Sequence, residues 1–135
     1  MFFFFTYPGS CSVDKNLSKV LRGEGLTWFQ IEKMLHLTRE TKPDISVGAL
    51  HSFLFVVHKL AEDEQREVTV KDVAEGLRAP YATVARHCDV LCGGPKGSGG
   101  LNWLVKEPGT TPRTKSLKLT YNGHHFLSVV LLGDK

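Results

Sequence analysis

Hydrophobic positions predict two short helices in the middle of the chain. Both stretches repeat apolar residues at spacings of three, four and seven, which places them on one helical face. The first repeat is Val70, Val73, Ala74 and Leu77, and the second is Val84, Cys88 and Leu91. Thr69 and Asp72 have the spacing of a capping box at the start of the first helix, and Pro80 suits the first position of the second. The turn between the helices is predicted at Arg78 and Ala79.

The segment that follows changes to the two-residue period of a strand. Residues 104–107 and 116–119 alternate between apolar and polar side chains, and residues 108–115 between them are rich in turn formers. This order predicts a β-hairpin whose tip carries Arg113 and Lys115.

Further helices are predicted on both sides of this segment. Thr27 and Gln30 form a capping box before a first helix, and a longer one begins near Ser46. The first helix carries Ile31, Met34, Leu35 and Thr38 in helical spacing, and the second carries Leu50, Phe53, Leu54, Val57, Leu60 and Ala61. The tail from Thr120 predicts a last helix, whose apolar surface exceeds what so short a helix normally buries alone. The predicted fold class is mainly α with a small β-hairpin, an α+β arrangement.

A group of mostly polar residues lies outside the apolar faces of these predicted helices. The exposed face of the helix after the turn, together with the turn and the hairpin tip, supplies groups that can contact base edges and phosphates. The candidate DNA-binding residues are Arg78, Tyr81, Ala82, Thr83, Arg86, His87, Arg113 and Lys115.

Charge is distributed unevenly around this candidate site. The formal net charge of the chain is only +3, which by itself implies nothing about nucleic acid. Residues 78–118 nevertheless carry seven basic and two acidic side chains, whereas residues 44–77 carry three basic and seven acidic ones. Positive charge therefore gathers on the half that holds the candidate site, as attraction to phosphate requires.

Several motifs in this region resemble one protein family. They are Val73-Ala-Glu-Gly-Leu77, Tyr81-Ala-Thr-Val-Ala-Arg-His-Cys-Asp-Val-Leu91, Leu104-Val105, Pro112-Arg113 and Leu119-Thr-Tyr-Asn-Gly123. Over residues 27–132 the chain resembles the winged helix-turn-helix of the MarR family of bacterial transcription regulators. Residues 92–100 depart from the family as a glycine-rich insertion, and Thr114 stands where relatives often have an acidic residue.

The resemblance implies a cytoplasmic regulator of transcription that binds double-stranded DNA. It also implies a homodimer, built by the first and last helices, that recognises a pseudo-palindromic operator, and a small-molecule effector that no residue here identifies. Two alternatives stay open. The first and last helices could fold back on their own domain, and the winged-helix module could bind protein without binding DNA.

Other classes of function find little support in the sequence. Residues 94–100 contain glycine, lysine and serine without the order of a phosphate-binding loop, and no serine lies in a nucleophile elbow. We therefore expect no enzyme, no cofactor and no metal site. Cys88 and Cys92 lie one helical turn apart beside His87, which leaves a redox or metal sensor as the alternative to structural cysteines.

The N-terminal residues are predicted to lie outside the domain. Residues 1–25 are expected to be a leader, and residues 26–135 the winged helix-turn-helix domain with its flanking dimerisation helices. Phe2 to Phe5 are fewer than the roughly 7 to 15 apolar residues of a signal-peptide core, and no stretch approaches the roughly 18 of a membrane span. We expect neither export nor a membrane partner. A disordered leader, an artefact of start-site choice and a strap across a dimer groove stay open as interpretations of the phenylalanine cluster.

Overall fold

The computed structural model describes residues 15–17, 27–63, 65–93, 100–111 and 113–133, and these residues contain five longer helices and two strands. The elements in chain order are α1 (Trp28–Thr41), α2 (Val47–Glu62), α3 (Val70–Leu77), α4 (Tyr81–Leu91), β1 (Leu104–Pro108), β2 (Lys115–Leu119) and α5 (Tyr121–Leu132). The two strands form an antiparallel hairpin in which Leu104 faces Leu119 and Pro108 faces Lys115. The predicted mainly helical fold with a small hairpin is confirmed.

The core is organised around α2. Phe53 is fully buried at its centre, with its ring centroid 4.8 Å from that of Trp103 and 6.3 Å from that of Phe126. Trp103 and Phe126 stack at 4.2 Å, so residues before β1 and within α5 meet on one face of α2. The predicted stripe of α2 is partly confirmed. Its buried residues are Ala49, Ser52, Phe53, Val56, Val57, Leu60 and Ala61, whereas Leu50 and Leu54 are only half-buried.

Side-chain caps begin the helices largely where the sequence predicts them. Thr27 and Thr69 each accept a hydrogen bond in a complete capping box, and Ser46 accepts the Ala49 N–H at the start of α2. Pro80 differs from its prediction, because it is the cap residue in extended conformation and α4 begins one residue later at Tyr81. Its fixed φ suits either place.

The turn between α3 and α4 contains a left-handed residue. Arg78 has φ 55° and ψ 45°, a conformation that usually belongs to glycine. Its N–H donates to the Glu75 carbonyl, and the Ala79 N–H donates to the Ala74 carbonyl. This pair of hydrogen bonds is the Schellman arrangement, which ends α3 and turns the chain sharply into α4.

Helices α1 and α5 contact each other within the chain. The Gln30 side-chain amide donates to the Leu131 carbonyl at 2.7 Å. Helix α5 buries most of its apolar surface in the same chain, through Phe126, Leu127, Val130 and Leu131. The sequence-based argument that α5 has excess apolar surface is therefore wrong, because Trp103 and α2 cover it. The most exposed of the large apolar side chains lie outside α5, with Trp28 85% and Phe29 70% exposed at the start of α1 and Val47 84% exposed at the start of α2.

Two predicted segments lie largely outside the described residues. Of the predicted leader, residues 15–17 are helical, and Leu17 is fully buried in the core. Phe2 to Phe5 and most of the glycine-rich insertion, residues 94–99, are outside the described part of the chain. Within that part, every helix is too short or too polar to cross a bilayer.

We expect Gly123→Ala to destabilise the protein although alanine favours helices. A Cβ at this position would collide with the Trp103 carbonyl oxygen and lie 2.7 Å from Leu119 Cδ1, so backbone must move. The expected loss is about 1 to 3 kcal/mol of unfolding free energy, measured by urea denaturation. Asn122→Ala, one residue earlier in the first turn of α5, is the control, because it favours the helix without adding a side-chain atom. An equal or smaller loss for Gly123→Ala would contradict this account.

Candidate nucleic-acid interface

A groove of about 400 Å³ lies between the start of α3, the start of α4 and the hairpin. We call it the basic groove. It is lined by Thr69, Val70, Lys71, Tyr81, Lys106, Arg113, Thr114 and Lys115. Four of these eight side chains are cationic: one comes from α3 and the other three from the hairpin. The groove has the charge and the hydrogen-bond donors that phosphate groups require.

Three of the four cations are available to a ligand. Within the described part of the chain, Lys71, Arg113 and Lys115 form no ion pair, and all three are exposed. Lys106 differs because its Nζ lies 2.9 Å from Asp89 Oδ1. Partial burial lowers the pKa of Lys106, but the hydrogen bond and charge of Asp89 outweigh it and raise that pKa above its usual value. The Asp89 carboxylate therefore offsets part of the positive charge at the β1 side of the groove.

The structure gathers three of the eight sequence-predicted residues in the basic groove. These are Tyr81, whose side chain is 59% exposed, and the exposed Arg113 and Lys115. The other five lie outside its lining. Arg78 is exposed in the turn, Ala82 and Arg86 are exposed on α4, and Thr83 and His87 are half-buried on α4.

Ala82 and Arg86 form a second exposed surface on α4. They are four residues apart and therefore lie on one helical face, with a small methyl group beside a long cation. Among the described residues Arg86 has no ion-pair partner. Its guanidinium is free to donate two parallel hydrogen bonds to a planar acceptor.

His87 is turned toward α2. Its Nε2 lies 3.4 Å from Ser46 Oγ, and a Cβ added at Gly48 would lie 2.5 Å from its Cε1. The imidazole therefore packs across the first turn of α2, where it helps to join α2 to α4. This contact joins residues 41 positions apart, so the helical pattern of α4 alone placed His87 with the exposed residues.

The loop before α3 holds the hairpin. Leu117 N–H donates to the Val68 carbonyl at 2.7 Å, beside the pairing of β1 with β2. The Glu67 carboxylate accepts the Thr110 N–H at 2.7 Å and the Thr110 hydroxyl at 3.3 Å. Glu67 and the groove cations Lys71 and Lys106 are not among the residues that the sequence predicts for the site. The alternation of β1 placed Lys106 on a polar face, but no local signal marks the contact of Glu67 with Thr110, 43 residues away.

The two described cysteines are poor nucleophiles. Cys88 is fully buried and Cys92 is half-buried at the end of α4. Burial raises the pKa of the Cys88 thiol to about 11 and that of Cys92 to about 12, against the opposing effect of Lys106. Such thiols stay protonated near neutral pH, so the structure favours the interpretation of structural cysteines over a redox sensor. Within the described residues, no three histidine, cysteine, aspartate or glutamate side chains are grouped so that they could hold a metal ion.

Comparisons of the chain with protein-family models, with curated proteins and with solved structures find no match.

We expect Cys88 and Cys92 to react slowly with a thiol reagent in the folded protein at about pH 8, because the reactive species is the thiolate. In the folded protein the pKa values of both thiols, about 11 and about 12, exceed the ordinary value of 9.0. The two thiols therefore contribute fully to the unfolding free energy below pH 9, and this contribution is lost as the pH rises through the pKa values of the folded state. The measurement is the labelling rate in a Cys11→Ser background, with the urea-unfolded chain as control. Equal rates in both states would contradict the buried placement.

Proposed function

We propose that this protein is a MarR-type winged helix-turn-helix regulator that binds double-stranded DNA in the bacterial cytoplasm. In this proposal α3 and α4 are the helix-turn-helix, α4 reads bases in the major groove, and the β1–β2 hairpin is the wing. The observation that carries the proposal is the basic groove, where the start of the reading helix meets the cationic hairpin tip.

Two classes of contact support this assignment. Phosphate contacts come from Lys71, Arg113 and Lys115, which surround the groove and attract DNA without regard to sequence. Base contacts come from the exposed face of α4, where Arg86 can donate two hydrogen bonds to guanine and Ala82 can contact a thymine methyl group. The two classes lie on adjacent elements, as the docking of a recognition helix and a wing requires.

The proposal includes a homodimer on a pseudo-palindromic operator. Each chain would then supply one reading helix per half-site, with half-sites spaced by one helical turn of DNA or a multiple of it. The exposed Trp28 and Phe29 at the start of α1 are the large aromatic surface available for pairing. Their position supports the role expected for α1, whereas α5 contributes little free apolar surface.

The alternative function is a winged-helix module that binds protein and not DNA. Tyr81 favours it, because an aromatic ring exposed in the basic groove also suits a protein partner. The salt dependence of DNA binding separates the two proposals.

We expect the protein to bind duplex DNA with an affinity that falls linearly with salt on logarithmic axes. Each phosphate contact contributes a slope near −0.9, because neutralisation releases condensed counterions. Sites selected from random duplexes should contain inverted half-sites with centres about 10 base pairs apart or a close multiple. Fluorescence anisotropy across a salt series measures the slope. Absence of binding at low salt, or affinity independent of salt, favours the protein-binding alternative.

We expect Arg86→Ala and Arg113→Ala to weaken DNA binding in different ways. Loss of the Arg86 guanidinium should cost about 1 to 3 kcal/mol on the preferred site and relax base choice at one position of each half-site. Loss of Arg113 should weaken preferred and scrambled duplexes alike and make the salt slope shallower by about one unit. Titrations on both duplexes measure these effects.

Arg39→Ala is the matched control for both variants, because Arg39 is exposed in the last turn of α1 and does not line the basic groove. It should leave affinity and salt slope unchanged. Unchanged affinity in Arg86→Ala, with Arg113→Ala impaired, would show that α4 does not read bases.

A further inference from the structure

Glu67 is an acidic residue beside a surface that we propose binds an anion. It lies in the short loop between α2 and α3, and both of its carboxylate oxygens are used by Thr110 at the hairpin tip. A carboxylate in this place repels phosphate, so its electrostatic effect on DNA binding is unfavourable. Attraction to phosphate, which explains the cations around the groove, therefore does not explain the presence of Glu67.

The contact of Glu67 with the hairpin tip is close and specific. Its Oε2 accepts the Thr110 N–H at 2.7 Å, and its Oε1 accepts the Thr110 hydroxyl at 3.3 Å. Hydrogen bonds to an ionised acceptor are stronger than neutral ones. The carboxylate also lies so near the backbone that a Cβ at Gly109 would be 2.5 Å from Oε2, so this position leaves no room for a side chain.

The tip itself is closed by its own hydrogen bonds. Gly109 N–H donates to the Thr114 carbonyl at 2.8 Å, and the hydroxyls of Thr111 and Thr114 lie 2.6 Å apart. Arg113 therefore lies in a turn whose hydrogen bonds join Thr114 to Gly109 and Thr111, the residues on either side of Thr110. A contact that fixes Thr110 also fixes the backbone that carries Arg113 toward the basic groove.

We propose that Glu67 is a positioning residue, which holds the hairpin tip so that Arg113 and Lys115 face the basic groove. This inference rests on the proposed function, since it assigns Glu67 a part in DNA affinity without contact to DNA. Because the tip is already ordered before DNA binds, binding loses less conformational entropy, and the affinity is higher. Glu67 thus strengthens DNA binding although its charge opposes it.

The sign of one substitution separates these two effects. Glu67→Ala removes a negative charge and should tighten binding if charge alone matters. If positioning dominates, it should weaken binding by about fivefold to tenfold on preferred and scrambled duplexes alike. Glu67→Gln should stay within about twofold of wild type, because the amide can accept from the Thr110 N–H and donate to its hydroxyl. Glu62→Ala, at an exposed acidic residue at the end of α2 outside the basic groove and the proposed pairing surface, is the control for the loss of one carboxylate.

Two further measurements exclude a general loss of structure. Arg113→Ala should cost less affinity in the Glu67→Ala background than in wild type, because a tip that is no longer held gains little from its arginine. Exchange of the Thr110 amide proton, followed by NMR in the absence of DNA, should accelerate in Glu67→Ala while the amides of α2 keep their wild-type rates, and it should not accelerate in Glu62→Ala. Gly109→Ala approaches the same contact from the other side and should reproduce the loss if Glu67→Ala does not fold.

The outcomes distinguish this inference from the proposed function. The positioning role would be overturned if Glu67→Ala bound DNA as tightly as wild type or more tightly. It would also be overturned if the losses of Glu67→Ala and Arg113→Ala were additive. In both cases the proposed DNA binding would stand. Absence of DNA binding by the wild-type protein would overturn the proposed function and this role with it. Weaker binding, rescue by glutamine and faster Thr110 exchange together would establish it.

Discussion

The aromatic contact of Phe53 with Trp103 and Phe126 holds together parts of the chain that are far apart in sequence. Phe53 belongs to α2, Trp103 precedes β1, and Phe126 lies in α5. Buried aromatic side chains provide large apolar areas, and their preferred ring geometries add specificity. Because Trp103 is adjacent to β1, this contact also fixes the base of the hairpin, and the arrangement of the basic groove depends on it.

Local patterns were sufficient to predict most elements of the fold. The capping boxes at Thr27 and Thr69, the apolar spacing of α3 and α4, and the two-residue alternation of the hairpin each involve neighbours within about one or two turns. The burial and orientation of side chains that depend on residues distant in sequence were predicted wrongly. Burial of α5 by Trp103 and α2 is one such case, and the turn of His87 toward Ser46 is another.

The candidate site shows the same division. Arg113 and Lys115 could be predicted because they lie at the turn-rich tip of a recognisable hairpin, whereas the exposed cation Lys71 was not among the predicted site residues. The pairing of Lys106 with Asp89 and of Glu67 with Thr110 could not, since each joins elements whose relative placement only the tertiary structure defines. These two acidic residues show that net charge describes the site poorly. One of them offsets a cation, and the other contacts the backbone of the hairpin.

The glycine-rich insertion is closed at its base. Gly100 N–H donates to the Gly93 carbonyl at 3.1 Å, and the N–H groups of Leu101 and Trp103 donate to the last carbonyls of α4 at 2.8 and 2.9 Å. Helix α4 and the hairpin are therefore joined directly, and residues 94–99 do not determine their spacing. The arrangement of the helix and the hairpin is therefore set by hydrogen bonds between described residues next to each other in space, and not by the length of chain that separates Gly93 from Gly100 in sequence.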